Sequence, residues 1–298
     1  MNSPGNGRSN SPSRVISFVN AGHFIDHYAM LIFAAAVIIM GPALGMAYSE
    51  LLPCATPGFI AFGAGSLITG WLGDRWSRRH MMVIFFVGIG ASMISVGFVQ
   101  TPLQLGAALL AIGIFASIYH PVGTAMIVSY AEKLGAQMGI NGVWGNLGVA
   151  SSALVTGVIG QYLGWRWAFI VPGTVTVLIG IAFAMTVVHE DRKGSRQAAA
   201  QVRVAKEDMW RVVLSLLIVV IAISTTFNAV TVALPKLFAE RLADLTKSPA
   251  LLGVIAAGVY VFGAMTQYTI GKLLDRHSLK TVALPLSFML APFLYRSE

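Results

Sequence analysis

Eight runs of mainly apolar residues, separated by short polar breaks, divide the chain near 15–40, 47–72, 81–100, 103–130, 139–163, 166–188, 209–233 and 249–273. A hydrocarbon core of about 30 Å takes roughly 20 apolar residues of helix to cross, so each run is long enough to span a membrane. Unpaired backbone groups in lipid cost several kcal/mol each, which makes every span a helix and predicts an all-α membrane protein. The flanks break this pattern. Residues 1–14 are rich in Ser, Asn, Gly and Pro and read as a disordered tail. The first run lacks a small-residue cleavage pattern and reads as a retained span. The longest polar break, 189–208, follows the sixth span and reads as a linker between two helical halves, 15–188 and 209–298. A ninth run, Thr281 to Tyr295, has only fifteen residues and contains Pro285 and Pro292. It is too short to cross comfortably, so the second half is expected to hold two full spans and a short ninth.

Two charged turns occupy corresponding places. Gly70, Asp74, Arg75, Arg78 and Arg79 lie in GWLGDRWSRR after the second run, and Gly271, Asp275, Arg276 and Lys280 repeat the spacing in GKLLDRHSLK after the eighth. This pattern resembles the signature loop of the major facilitator superfamily, with Ser77 where the family has a glycine and with Ser278 and Leu279 departing in the second copy. Residues 164–169, Gly-Trp-Arg-Trp-Ala-Phe, likewise resemble the family's lead-in to its sixth helix. The resemblance implies a bundle of two six-helix halves, the first complete here and the second incomplete, so that the chain is expected to be C-terminally truncated. It also implies that Asp74 steadies the closed cytoplasmic face against a helix of the other half, the eleventh, which this chain is not expected to contain. Within the family, Tyr119-His120-Pro121-Val122-Gly123 and the glycine-rich stretch 139–148 are closest to the fosmidomycin-resistance-like branch, although Val122 stands where that branch has a glutamate.

Composition and charge fit a chain dissolved in lipid. Apolar residues are 56% of the total, charged ones 11%, and mean hydropathy is +0.74. The net charge of +8 is confined to short loops, with no basic helix carrying interleaved aromatics, which excludes a nucleic-acid partner. With the N-terminus inside, most basic residues are cytoplasmic, while the outside collects only Arg166, Lys236, Arg241 and Lys247. This asymmetry orients a multi-pass protein of the plasma membrane, of the bacterial inner-membrane type. Cys54 stands alone and can form neither an intrachain disulfide nor a multi-cysteine metal site.

Candidate chemistry lies inside the spans. Asn20, His23, Asp26 and His27, at offsets 0, 3, 6 and 7, share one face of the first helix. A carboxylate at the centre of a bilayer costs about 2.5–3.5 kcal/mol on the lenient scale, so Asp26 is expected to face a wet cavity and exchange protons there. The competing reading is a buried acid that merely pairs with a histidine. In the fourth span, Pro121 crowds the carbonyl of Ser117 and predicts a kink beside Tyr119 and His120. Asp26 and His120 lie at one depth, about 15–17 Å from the cytoplasmic end. In the family the first, fourth, seventh and tenth helices line the cavity, so the resemblance puts these two groups across one pocket. Ser224, Asn228 and Thr231 share a face of the seventh span, and Asn228 is the expected neutral partner in the second half. The glycines at 139, 142, 145 and 148 read as a packing stripe. The eighth span adds Tyr260, Gln267 and Tyr268, which read equally as lipid-interface or packing residues.

The expected function is secondary active transport of a small organic molecule coupled to protons, with drug efflux as one form. No cofactor, resident metal or catalytic group is expected. An alternative is a non-transporting remnant or an assembly subunit, which would need a partner chain. A weaker one is a metal-binding membrane protein or enzyme built on His23, Asp26, His27 and His120. Against it, Phe24 stands where zinc hydrolase helices place a glutamate.

Overall fold

A computed structural model describes residues 10–188, 206–278, 280–282 and 284–286. Residues 1–9, most of the expected linker (189–205) and the end of the ninth run (287–298) lie outside the described residues. Among the described residues every regular element is helical: α1 Pro12–Leu44, α2 Tyr48–Leu51, a 3-10 turn Leu52–Ala55, α3 Thr56–Arg75, α4 Arg78–Val96, α5 Pro102–Ala116, α6 Tyr119–Tyr130, α7 Leu134–Leu163, α8 Trp165–Thr186, α9 Lys206–Arg241 and α10 Pro249–Leu274. They make eight membrane-length segments, with α2, the 3-10 turn and α3 forming the second and α5 with α6 the fourth.

Two boundaries differ from the sequence expectation. Residues 10–14 are ordered, because Pro12 sits in the first turn of α1, where its missing N–H costs nothing. Just before it, the Asn10 side chain donates to the Val188 carbonyl at 2.9 Å and accepts from the Val188 N–H at 2.8 Å. At the other end of the linker, Lys206–Asp208 already belong to α9.

The fourth span breaks where Pro121 requires it. The helix ends at Ala116 and resumes at Tyr119, and the freed Ser117 carbonyl accepts the Thr69 hydroxyl at 2.8 Å. The break turns His120 towards α1 and α3.

α7 is the spine between α1, α8 and α10. Against α10 it runs antiparallel: Gly135 meets Asp275, Gly139 meets Gly271, Gly142 meets Gln267 and Gly157 meets Pro249. Against α1 it runs parallel, with Gly145 on His23 and Gly148 on the Phe24 carbonyl. The stripe therefore serves two helices. Small residues permit this closeness, and in lipid, where apolar helix faces gain nothing by leaving water, close packing is the main source of association. A Cβ at Gly148 would run into backbone that cannot yield, whereas one at Gly258 meets nothing within 4 Å. We expect Gly148→Val to destabilise the folded protein by about 1–3 kcal/mol. Gly258→Ala should stay within about 1 kcal/mol of wild type, on the stabilising side. Both are read by equilibrium unfolding in detergent micelles, and equal effects would contradict the packing assigned to α7.

Candidate functional site

The polar residues of α1 converge with those of α6 and α7 midway along the bundle. Asn141 of α7 is the hub. Its side-chain amide donates to Asn20 Oδ1 at 3.0 Å and to the Tyr119 hydroxyl at 2.9 Å, and its carbonyl lies 2.7 Å from His23 Nδ1. Tyr119 in turn donates to the Val19 carbonyl at 3.0 Å and stacks on His23, ring centroids 5.0 Å apart. A carbonyl can only accept, so His23 carries its proton on Nδ1 and turns the Nε2 lone pair to His27 Nε2, 3.0 Å away.

Asp26 is the exception to this pairing. Its side chain is 0% exposed, and His120 Nε2 stands 3.3 Å from Oδ2. Neither carboxylate oxygen has a well-formed hydrogen bond. His120 is 43% exposed and stands between this carboxylate and open space. The space is a cavity of about 1380 Å³ bounded by Asp26, His27, Phe62, Ser66, His120 and, from α9, Ser224 and Asn228. It runs from the bundle's middle towards the end where α1 leads into α2, away from the two charged loops. At that mouth Lys236 pairs with Glu240 at 2.9 Å and lies 5.3 Å from the centre of the Tyr48 ring.

Asp26, His27, His120 and Asn228 thus line one cavity, and Asn20, His23 and Tyr119 form the wall behind it. Asp26 and His120 are direct neighbours on one side of the cavity. Asn228 bonds the Ser224 carbonyl of its own helix at 2.8 Å, while Thr231 is buried. Gln267 bonds Asn146 across the α7–α10 contact, a packing role, and Tyr268 lies under Lys272. Asn141 was not singled out from the sequence. An amide among glycines in mid-span was the available signal.

The charged loops cap helix ends. Arg78 bonds Asp74 at 3.3 Å and Ser129 at 2.9 Å, Arg79 donates to the carbonyls of Ala184 and Val187 at the end of α8, and Arg75 lies over Trp71. Gly70 and Gly73 admit Pro121 and Val122. In the second copy Gly271 touches Gly139 and Asp275 rests against Gly135 in the first turn of α7, where the helix dipole favours a carboxylate. Arg276 and Lys280 are exposed.

The Major Facilitator Superfamily model matches residues 19–295, and the chain belongs to that family. The puromycin resistance protein pur8 of Streptomyces alboniger is 29% identical over 138 residues, covering 45% of this chain and 27% of that protein. A probable sulfoacetate transporter, SauU, of Cupriavidus necator is 24% identical over 184 residues, covering 61% and 43%. The chain thus spans less than half the length of either relative. A solved bacterial homologue of the human lysosomal transporter Spinster, in an inward-facing and occupied conformation, superposes with a TM-score of 0.68 at 14% identity, covering 93% of this chain and 64% of that one.

Removing the hub should be felt throughout the network. Asn141→Ala is expected to destabilise the protein by about 1–3 kcal/mol, because Asn20 and Tyr119 lose a buried partner each. Thermal unfolding in detergent measures this, and an unchanged transition would show that the network is not structural.

Proposed function

We propose that the chain works as a secondary active transporter of a small organic molecule, with its solute site in the cavity between α1, α3, α6 and α9. The observation that carries this reading is the cavity itself: it joins the two halves at mid-depth and is walled by a carboxylate without a well-formed hydrogen bond, beside an exposed histidine. Repeat halves that rock around a midplane site are the general design of such proteins. Asp26 is assigned the coupling proton, His120 the group through which it is reached, and Asn228 the solute contact from the second half. With the N-terminus in the cytoplasm of a bacterial-type inner membrane, the cavity opens to the outside, and the contact of Asp275 with α7 helps hold the cytoplasmic end shut. The names of the relatives support this class: one is a resistance protein and another a transporter, and drug efflux is the form that the first favours. The enzyme reading is set aside on the same ground.

The test uses purified chain in liposomes loaded with a pH-sensitive dye and a panel of drugs and organic acids. At least one solute should move protons with it, and Asp26→Asn should reduce this coupled flux at least tenfold while the protein still unfolds cooperatively. Unchanged coupled flux in Asp26→Asn would refute the role of Asp26, and no flux with any solute would count against transport by this chain.

A further inference from the structure

Three histidines meet at the inner end of the cavity. His23 and His27 stand one turn apart on α1, His120 comes from α6, and one ring nitrogen from each lies within 4.8 Å of the others. The ring centroids form a nearly equilateral triangle, 4.8, 5.4 and 5.6 Å on a side. Imidazole is the commonest protein ligand for transition metals, and ligands carried on helices are held more firmly than those on loops.

The rings are aimed from behind. The Asn141 carbonyl takes the Nδ1 proton of His23 and turns Nε2 towards His27, whose own Nε2 is 3.0 Å from it. Two ring nitrogens this close need a proton or a cation between them. The Asp26 carboxylate lies beside His120, 3.3 Å from Nε2. A carbonyl that fixes the tautomer of one ring is the outer partner that metal-binding histidines use, and a carboxylate beside another adds negative charge that favours a cation.

We propose that His23, His27 and His120 form a binding site for a divalent first-row transition-metal ion of the zinc class. Around such an ion, with metal–nitrogen bonds of about 2.0–2.1 Å, tetrahedral ligand atoms sit about 3.3 Å apart. The His23–His27 pair, at 3.0 Å, already has nearly that spacing, and His120, with a ring nitrogen within 4.8 Å of both, completes the set by a side-chain rotation. Three imidazoles leave one position open towards the cavity for water or a donor atom of the solute. Nitrogen donors select zinc, cobalt, nickel or copper and disfavour calcium and magnesium. The inference rests on the transport reading only for the cavity that gives access to the site. Metal binding itself is independent of flux.

The test uses the full chain, purified in detergent with any affinity tag removed, stripped with a chelator and titrated with cobalt chloride. One equivalent should bind and give the visible absorption of four- or five-coordinate cobalt, and zinc should displace it. His23→Ala and His27→Ala should each weaken binding at least a hundredfold, whereas His277→Ala, at an exposed position, should leave it unchanged. In the wild-type protein, where no variant has to fold, zinc should protect His120 from diethyl pyrocarbonate as read by mass spectrometry. The absence of stoichiometric binding, binding indifferent to His23 and His27, or unprotected His120 would each overturn the site. Solute-driven flux without metal binding would overturn this proposal and leave transport standing, while metal binding without flux would support the site and count against transport.

Discussion

A polar group inside a hydrocarbon layer must find a partner or water, and the interior of this bundle follows from that requirement. Asn20, Asn141 and Tyr119 meet it by pairing with one another and with the Val19 carbonyl, which ties α1, α6 and α7 at a single level. Hydrogen bonds between membrane helices are worth only about 0.6 to 2 kcal/mol each, so the network contributes more to position than to stability. Its consequence is the orientation of His23. Asp26 meets the requirement only in part, through a histidine 3.3 Å away that itself faces open space.

Close backbone approach makes the arrangement reachable. Asn141 can touch Asn20 because Gly145 and Gly148 let α7 lie directly on α1, and Gly139 and Gly142 let α10 lie on the neighbouring face of α7. One helix thereby connects the polar centre to α10.

The eight spans were legible in the sequence because their signal is length and apolarity, which depend on no partner. The break at Ser117 and its free carbonyl were legible too, since Pro121 dictates both locally; the sequence did not say that Thr69 would occupy that carbonyl. The shared depth of Asp26 and His120 followed from counting residues, but their 3.3 Å contact required knowing how α1 and α6 rotate about their axes. Asn141 was passed over for the same reason. Its stretch reads as packing, and only the tertiary arrangement shows an amide with two partners and a backbone carbonyl with a third. The ordered start of α1 was hidden by composition: Ser, Asn and Pro read as tail, whereas here they begin a helix and clip Asn10 to Val188.

The central claim is that water reaches the polar centre along the cavity, and thiol labelling tests it most directly. In a Cys54→Ala background, Ser66→Cys is placed on the cavity wall and Leu178→Cys on the exposed apolar face of α8. Thiol reagents attack the thiolate, which forms only in contact with water. In lipid vesicles a membrane-impermeant reagent should modify the cysteine at 66 and leave the one at 178 intact; protection of both would contradict the account.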